Sequence, residues 1–390
     1  MSDNCSDYTL GYCTNIHGSY CLEELISCLE VYPEKIRNSA GLAGNDLPVG
    51  LWVSNAALKE LANEAAAERL QAVLVSNGLN VFTLNGFPYG DFHSDVVKYD
   101  VYKPDWLSRS RVDYTRRLID LLAGLMPEGA QAGISTLPLG WPDPGERFDK
   151  ILAAQHILEI AEYLKRVEDE QGKLIHLDIE PEPGCIVGSA LELVDFYKNH
   201  LLAGADEAEV LRYVRVCHDI CHSSVMFEDQ EDVIRNYTAS GIKTGKVQIS
   251  SGVETEFPIL SEQKKAVYES LNKLSEKKYL HQSVFQRSDL SQEFFEDLDK
   301  CVQKCSSDNL KGYLRSHFHV PVFLEELNGL NTTQKDIKKC LKTVIAETDC
   351  RLLEVETYSW NILSGILVDM DICMGIAREL KWSENIIEGI

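Results

Sequence analysis

No part of the sequence contains a long hydrophobic run, and no window approaches the ~18 apolar residues that a membrane-spanning helix requires. The opening M-S-D-N-C-S-D-Y has neither a basic region nor an apolar stretch, so we expect no secretory signal peptide. Basic residues are scarce, 38 against 61 acidic ones, which gives a formal net charge of −23. Because such a chain repels phosphates and anionic lipid heads, we expect neither nucleic-acid binding nor membrane insertion.

Cysteine is sparse for a disulfide-stabilised protein, with 12 residues diluted over 390. Several lie inside apolar segments, and we expect reduced cysteines and a cytoplasmic location. The usual phosphate and nucleophile motifs are missing as well, since no Walker loop, G-x-S-x-G turn or G-x-G-x-x-G element follows a predicted strand. The content of 44% hydrophobic and 25% charged residues is typical of a folded chain with a full core.

Short β-rich runs alternate with long amphipathic segments along the chain. Barrel strands are predicted at 8–16, 49–54, 80–86, 132–139, 174–181, 212–221, 245–250 and 352–358. Helices are predicted at 21–37, 56–77, 107–126, 147–170, 189–202, 229–240, 333–347 and 361–380. Such alternation indicates parallel strands joined by right-handed crossovers. Eight units of this kind predict an α/β fold, a closed (β/α)8 TIM barrel.

Two further apolar runs, 279–285 and 314–323, are also candidate strands, which makes ten candidates for the eight strands of a barrel. The stretch 252–330 is also too long for one crossover. We therefore predict that it is an insertion between the seventh and eighth barrel strands, in which the two runs pair with each other. No Pro- or Gly-rich linker interrupts the chain, so residues 1–390 are predicted to form a single domain with a C-terminal helical extension at about 361–390.

Unusual polar residues follow the predicted strands at their C-terminal ends, where parallel barrels place their chemistry. Glu180, Asp219, Gln248 and Glu356 end strands five to eight and would converge on one point. Three carboxylates around one point repel one another, which favours a divalent cation over a metal-free carboxylate cluster. Oxygen ligands suit Mn²⁺ or Mg²⁺ better than Zn²⁺, which stays open. Taken singly, each residue also fits a solvated loop or a helix cap.

A second group, at strand ends or in the loops beyond them, is predicted to bind substrate. It comprises Asn15, His17, Asn85, Phe87, Tyr89, His93, Thr136, His317 and His319. The aromatic loop 85–106 is interpreted either as a lid over a substrate or as a loop that packs on its own rings. The H-F-H sequence at 317–319 suits a substrate contact, a second metal or plain core packing. Cys217 and Cys221 are a weak zinc signal, because no second cysteine pair accompanies them.

With these residues placed, the chain resembles the xylose-isomerase-like TIM barrels, a superfamily of sugar isomerases, epimerases, inosose dehydratases and endonuclease IV. The resemblance lies in the order Glu, Asp, Gln and Glu at the ends of the late strands and in a D-x-x-H element that begins at Asp219. It implies the metal ligands Glu180, Asp219, Gln248 and Glu356, with His222 as the substrate histidine of a D-x-x-H element. Gln248 stands where histidine is commoner, a choice as typical of the dehydratase and lyase branches as of the isomerases.

More narrowly, eight motifs are similar to the EboE family of "metabolite traffic" proteins, and the similarity spans about residues 8–363. These motifs are Y-C-T-N-I-H, T-L-N-G-F-P-Y-G-D-F-H, I-S-T-L-P-L-G, E-P-E-P-G-C, V-C-H-D-I-C-H-S-S-V-M-F-E-D, G-K-V-Q-I-S-S, H-F-H-V-P-V-F and L-E-V-E-T-Y-S-W. This resemblance implies a secondary-metabolite pathway with sugar- or cyclitol-like precursors. It also implies other products of the ebo gene cluster as partners. Homo-oligomerisation stays open.

The resulting hypothesis is an enzyme that removes a proton next to a carbonyl of a polyhydroxylated small molecule, with a divalent metal stabilising the developing charge. Glu180 and Glu356 would act as base and acid, and His222 would hydrogen-bond a substrate oxygen. The outcome would be isomerisation, epimerisation or dehydration, which the sequence does not separate. The alternatives are a metal-dependent hydrolase, for which the extra histidines beyond strand seven would hold zinc, and a non-catalytic metabolite carrier.

Overall fold

The barrel is formed by eight parallel strands. In the computed structural model, which describes residues 8–41, 46–258, 264–308, 310–363, 367 and 370–390, these strands are β1 (Thr9–Cys13), β2 (Leu47–Trp52), β3 (Leu79–Asn85), β4 (Gln131–Thr136), β5 (Leu174–Ile179), β6 (Val214–Asp219), β7 (Thr244–Ile249) and β14 (Leu352–Val355). They are adjacent in that order, and β14 pairs with both β7 and β1 to close the barrel. The predicted (β/α)8 fold is confirmed.

Helices connect the strands, and most of them cover the outside of the barrel, while two pack within the chain segment between β7 and β14. They are α1 (Leu22–Ala40), α2 (Asn55–Glu60), α3 (Glu64–Ser76), α4 (Arg109–Leu125), α5 (Lys150–Gln171), α6 (Ala190–Phe196), α7 (Glu207–Tyr213), α8 (Ile220–Val225), α9 (Gln230–Ala239), α10 (Lys264–Leu274), α11 (Leu298–Ser307), α12 (Gln334–Glu347), α13 (Trp360–Leu363) and α14 (Ile372–Glu388). The single helix predicted at 56–77 is wrong, because the Asn63 side chain caps the backbone N–H of Ala66 and starts a new helix, α3.

The insertion between β7 and β14 forms a second sheet of six antiparallel strands. Its strands are β8 (Val253–Phe257), β9 (Ser283–Arg287), β10 (Gln292–Phe295), β11 (Gly312–Ser316), β12 (Glu326–Leu327) and β13 (Leu330–Thr332). β9 pairs with β11, so the predicted pairing of the two extra apolar runs is confirmed. The predicted strand 314–323 is too long, because β11 ends at Ser316 and His317 to His319 lie just beyond it. The sheet and its helices enclose a core of their own, which includes Phe257, Phe285 and Leu314.

The C-terminal extension contains two helices, α13 and α14, in place of the single helix predicted at 361–380. Asp371 caps α14 by accepting a hydrogen bond from the Met374 N–H, and part of the predicted helix start, at 364–366 and 368–369, lies outside the described residues. α14 packs against α1. None of the helices that the structure describes is long and apolar enough to cross a membrane.

The interior of the barrel contains a charged layer below the C-terminal ends of the strands. Lys246 and Glu354 are fully buried, and their Nζ and Oε2 atoms are 2.6 Å apart. Glycine makes room for this layer, since a Cβ on Gly50 would lie 1.3 Å from Glu354 Oε1. Side chains of alternate residues point to the same side of a strand. Glu356 therefore lies one layer above Glu354, at the open end of the barrel.

Candidate active site

The four residues predicted as metal ligands lie together at the C-terminal end of the barrel. Asp219 is the last residue of β6, Gln248 is the last but one of β7, and Glu180 and Glu356 directly follow β5 and β14. Asp219 and Gln248 are register partners across β6 and β7. All four side chains are buried, with exposed fractions of 6% or less. Three carboxyl groups and one amide thus occupy a site from which bulk water is excluded.

Several polar atoms of this cluster have no hydrogen-bond partner among the described residues. They are Oε2 of Glu180, Oδ2 of Asp219, and both Oε1 and Nε2 of Gln248. A buried polar atom without a partner costs about 1–3 kcal/mol, and more when it is charged. Oxygen atoms of this kind are the preferred ligands of hard divalent cations, so the residues present fit such an ion.

The opposite oxygens are held in place by neighbouring groups. Asp219 Oδ1 accepts hydrogen bonds from the Ser250 hydroxyl at 2.7 Å and from the His222 N–H at 2.9 Å. Glu356 Oε1 accepts from Nδ2 of Asn15 at 2.7 Å and from Nδ2 of Asn85 at 3.2 Å. These contacts fix the direction of each carboxylate.

The crowding of carboxylates changes their pKa values. Burial, reinforced by Glu356 and Asp219, holds the pKa of Glu180 well above its usual range. Burial and the Asp219 charge raise the pKa of Glu356 to about 8. The pKa of Asp219 is lowered, because His222, His319 and the Ser250 hydroxyl outweigh the effect of its burial. The cluster therefore binds protons strongly when no other cation balances it.

Three histidines extend the cluster toward the insertion. His222 comes from α8, and His317 and His319 follow β11. A nitrogen of each lies within 4.8 Å of a nitrogen of the other two. Nδ1 of His222 is 2.9 Å from the carbonyl oxygen of Pro181, and Nδ1 of His319 is 2.9 Å from that of Glu356. A carbonyl oxygen only accepts, so both Nδ1 atoms carry a hydrogen, and in the neutral form of each ring Nε2 carries the lone pair.

The Nε2 atoms of His222 and His319 lie close to a carboxylate oxygen or to another ring nitrogen. Nε2 of His319 has no hydrogen-bond partner among the described residues and lies 3.8 Å from Asp219 Oδ2. Nε2 of His222 is 3.2 Å from Nε2 of His317. Burial lowers the pKa of His319 to about 4, which favours the neutral ring. Neutral imidazole nitrogens beside carboxylates are typical ligands for zinc and other transition metals.

A cavity of about 70 Å³ lies above the cluster. Its polar floor contains Asn15, Asn85, Glu180, His222 and Glu356, and its roof comes from the loop after β3 and from the insertion. The roof and walls comprise Phe87, Pro88, Phe92, Lys98, Val101, Tyr102, Glu182, Tyr279, Leu280, His317, His319 and Tyr358.

Four of the residues predicted to bind substrate are not on the cavity wall. The His17 ring stacks on Tyr32 with ring centroids 4.0 Å apart, and the Tyr89 ring packs on Tyr114. His93 Nε2 bonds to the Asn15 backbone carbonyl. The fourth, Thr136, accepts a hydrogen bond from the indole N–H of Trp106. These side chains support the wall from behind, while the predicted Asn15, Asn85, Phe87, His317 and His319 reach the cavity.

Other lining residues lie outside the predicted set. Glu182 follows Glu180 by two residues and Tyr358 follows Glu356 by two, so the same alternation points both toward the cavity. That spacing was the available signal for them. Tyr279 and Leu280 carry no such signal, because they reach the site only through the folding of the insertion over the barrel.

Comparison with known proteins identifies the fold. No protein family profile matches the sequence, and no curated protein matches it. The structure is similar to a xylose isomerase-like TIM barrel protein from Mycobacterium smegmatis, solved in complex with magnesium, with a TM-score of 0.53 and 11% identity over 98% of this chain and 97% of that one. It is also similar to a D-tagatose 3-epimerase-like protein, with a TM-score of 0.50 and 10% identity over 97% and 98% of the two chains. The chain thus has the xylose isomerase-like form of the TIM barrel.

Proposed function

We propose that the protein is a divalent-metal-dependent enzyme that acts on a polyhydroxylated small molecule by an enolisation-type reaction, as an isomerase, epimerase or dehydratase. The observation that supports this best is the set of buried, unpartnered oxygens of Glu180, Asp219 and Gln248 at the catalytic end of a barrel. The magnesium bound by the similarly folded Mycobacterium smegmatis protein is in keeping with this proposal.

Glu180, Asp219, Gln248 and Glu356 would hold the cation, with Mn²⁺ or Mg²⁺ preferred for an oxygen-rich shell. When bound, such an ion supplies electrostatic stabilisation of the negative charge that develops on substrate oxygens. It would also offset the repulsion that raises the pKa of Glu180 and Glu356. The cation would thus lower both pKa values, so that one carboxyl group ionises to act as the base near neutral pH while the other keeps a proton to act as the acid.

Glu180 and Glu356 then serve as the proton-transferring pair. Glu356 is held by Asn15 and Asn85 through Oε1, which fixes the direction of its carboxylate toward the cavity. A positioned base of this kind removes a proton from the carbon beside a carbonyl, and a second carboxyl group returns it. His222, anchored by the Pro181 carbonyl, presents Nε2 as an acceptor for a substrate hydroxyl.

The cavity wall favours an uncharged substrate with many hydroxyl groups and one apolar face. Its polar atoms are mostly acceptors, which pair with hydroxyl donors and repel carboxylates or phosphates. Among the described lining residues, Lys98 is the one lysine or arginine, and its Nζ is 2.6 Å from Asp297 Oδ2. The rings of Phe87, Phe92 and Tyr358 suit the apolar face of a sugar or cyclitol.

The histidine cluster supports a second candidate, a metal-dependent hydrolase with more than one zinc ion. His222, His317 and His319 supply three nitrogen ligands beside Asp219, a set that zinc prefers. The two candidates differ in metal content and in the reaction. The resemblance of the sequence to the EboE family supports a place in secondary metabolism for either one, or a carrier role that shows ligand binding without turnover.

Elemental analysis of the purified protein, followed by turnover assays, tests the proposal. We expect one Mn²⁺ or Mg²⁺ per chain and conversion of an unphosphorylated ketose or inosose that stops when a chelator is added. Two or three zinc ions per chain would favour the hydrolase. A chain that holds no metal, and that a chelator leaves unaffected, would contradict both.

A further inference from the structure

Gln282 joins three parts of the site in one buried cluster. Its amide nitrogen lies 2.7 Å from the Tyr102 hydroxyl oxygen and 2.8 Å from Glu182 Oε1, and its amide oxygen lies 2.9 Å from His317 Nδ1. The side chain is fully buried. The His317 backbone N–H also donates to the Gln282 carbonyl oxygen at 2.8 Å, so the two residues are linked through backbone and side chain.

The hydrogen-bonding capacity of these groups determines which atom donates. A carboxylate accepts hydrogen bonds and donates none, so the NH₂ group of Gln282 must face Glu182 and its oxygen must face His317. An amide oxygen is likewise only an acceptor. Nδ1 of His317 must therefore carry the ring hydrogen, and Nε2 must carry the lone pair.

We infer that Glu182 and Gln282 are positioning residues that fix the ring tautomer of His317 and so present its Nε2 as an electron-pair donor in the cavity. That atom faces Nε2 of His222 at 3.2 Å, and the latter also carries a lone pair because its Nδ1 bonds to a carbonyl. With both rings neutral, two lone pairs would face each other at this distance and repel, unless a proton or a metal ion lies between them. The fixed tautomer thus creates a demand for a cation between or beside the two rings.

This inference rests on the proposed function in one respect, namely that a metal ion uses the lone pair. The arrangement matches the way a metal-binding histidine is held when its other ring nitrogen donates to a fixed acceptor, an arrangement that typically contributes 10- to 100-fold to metal affinity. Here the acceptor is the amide oxygen of Gln282, and the Glu182 carboxylate determines the orientation of that amide. The Glu182 carboxylate therefore orients the ring through the Gln282 side chain, and its Oε1 also lies 3.5 Å from Nδ1 of His317.

The test is NMR spectroscopy of chelator-treated protein with ¹⁵N-labelled histidine, which reports which ring nitrogen bears the hydrogen. We expect the Nδ1–H tautomer for His317 in the wild-type protein. Gln282→Leu removes the acceptor, and the nearly isosteric Glu182→Gln lets the Gln282 amide turn round, so both should shift His317 toward Nε2–H. Gln282→Glu keeps an acceptor for Nδ1–H and should keep the wild-type tautomer.

His176 is the internal control, since its Nδ1 lies 2.6 Å from Asp178 Oδ1 and its tautomer should not change in any variant. If Gln282→Leu does not fold, the tautomer of His317 in Glu182→Gln alone tests the inference. An Nε2–H tautomer in the wild-type protein, or an unchanged His317 in Glu182→Gln, would overturn the inference.

Zinc titration of the same samples separates the two proposals. We expect about 10- to 100-fold weaker zinc binding in Glu182→Gln and Gln282→Leu and little change in Gln282→Glu. Equal affinities in all variants would overturn the positioning role. A wild-type protein with the expected tautomer that binds no cation would contradict the metal centre and leave the tautomer assignment intact.

Discussion

At the scale of single residues, two glutamates at the end of β14 differ in their surroundings, one inside the barrel and the other at the cavity. Glu354 is buried inside the barrel against Lys246, whereas Glu356, two residues later, reaches the cavity between Asn15 and Asn85. The side chains share one side of β14 but differ in depth. Because of this difference in depth, the Glu354 carboxylate contributes to the stability of the barrel and the Glu356 carboxylate to the site.

We predict that Glu356→Gln folds and binds metal more weakly, because it keeps the shape and one ligand oxygen. It should lower kcat by several orders of magnitude, since it removes the proposed base. The measurement is turnover of an identified substrate with saturating Mn²⁺, beside a melting curve. Near-native turnover would contradict the role of Glu356.

Glu354→Gln is the matched control. It leaves the Lys246 ammonium buried without a counter-charge, so it should lower the free energy of unfolding by roughly 3–5 kcal/mol. Turnover of the protein that remains folded should stay close to that of the wild type. The opposite pattern, with stability lost in Glu356→Gln and activity lost in Glu354→Gln, would mean that the two layers are exchanged.

The site residues that could be predicted from the sequence all lie at the C-terminal ends of barrel strands. Glu180, Asp219, Gln248 and Glu356 end strands whose β-rich pattern is strong, and the ends of parallel strands meet at one rim. His17 is also predicted at a strand end, but β1 ends at Cys13, and the His17 ring stacks on Tyr32. Which way a loop side chain turns depends on tertiary packing, which the local pattern does not contain.

At the scale of secondary-structure elements, α14 is tied to the barrel by one buried carboxyl group. Glu379 accepts hydrogen bonds from the Thr357 hydroxyl, the Trp360 indole N–H at 2.8 Å and the Val322 N–H at 3.2 Å. These groups come from the segments that follow β14 and β11. The helix therefore supports, from outside, the chain segments that carry Glu356 and His319.

We predict that this carboxyl group makes stability depend on pH. Burial raises the pKa of Glu379 to about 7 from 4.5, so its contribution is fully present below pH 4.5 and is lost as the pH rises through 7. Glu379→Gln does not titrate. Its free energy of unfolding relative to wild type should rise between pH 5 and pH 7.5 by up to about 3 kcal/mol, whatever the cost of the lost hydrogen bonds. Denaturant unfolding of both proteins from pH 5 to pH 7.5 tests this prediction. A difference in the free energy of unfolding that stays constant across this range would contradict it.

The elements themselves were predictable to different degrees. The eight barrel strands follow from β-rich runs between amphipathic segments, and the surplus runs predicted the insertion. The break between α2 and α3 depends on one capping side chain, Asn63, within a continuous apolar pattern. The antiparallel order of the insertion sheet depends on contacts between distant segments, and the order of the runs along the chain does not specify it.

At the scale of the whole molecule, cation binding should stabilise the fold. A chelator should lower the melting temperature by several degrees, and Mn²⁺ or Mg²⁺ should restore it, because a ligand that binds only the folded state at a thousand times its Kd adds roughly 4 kcal/mol. Differential scanning fluorimetry with a series of cations provides the measurement. Restoration by Zn²⁺ alone would favour the histidine cluster over the carboxylate set.

The Asn15–Glu356 hydrogen bond joins residues that are 341 positions apart in the chain. During synthesis, β1 is made first and must wait for β14, which closes the barrel only after the whole insertion has been translated. Until then β1 and β7 expose unpaired edges that can aggregate. A nascent chain halted before β14 therefore lacks Glu356 and the strand that closes the barrel around the other site residues. The protein should depend on protection of those edges, by a chaperone or by early folding of the insertion, during the last part of its translation.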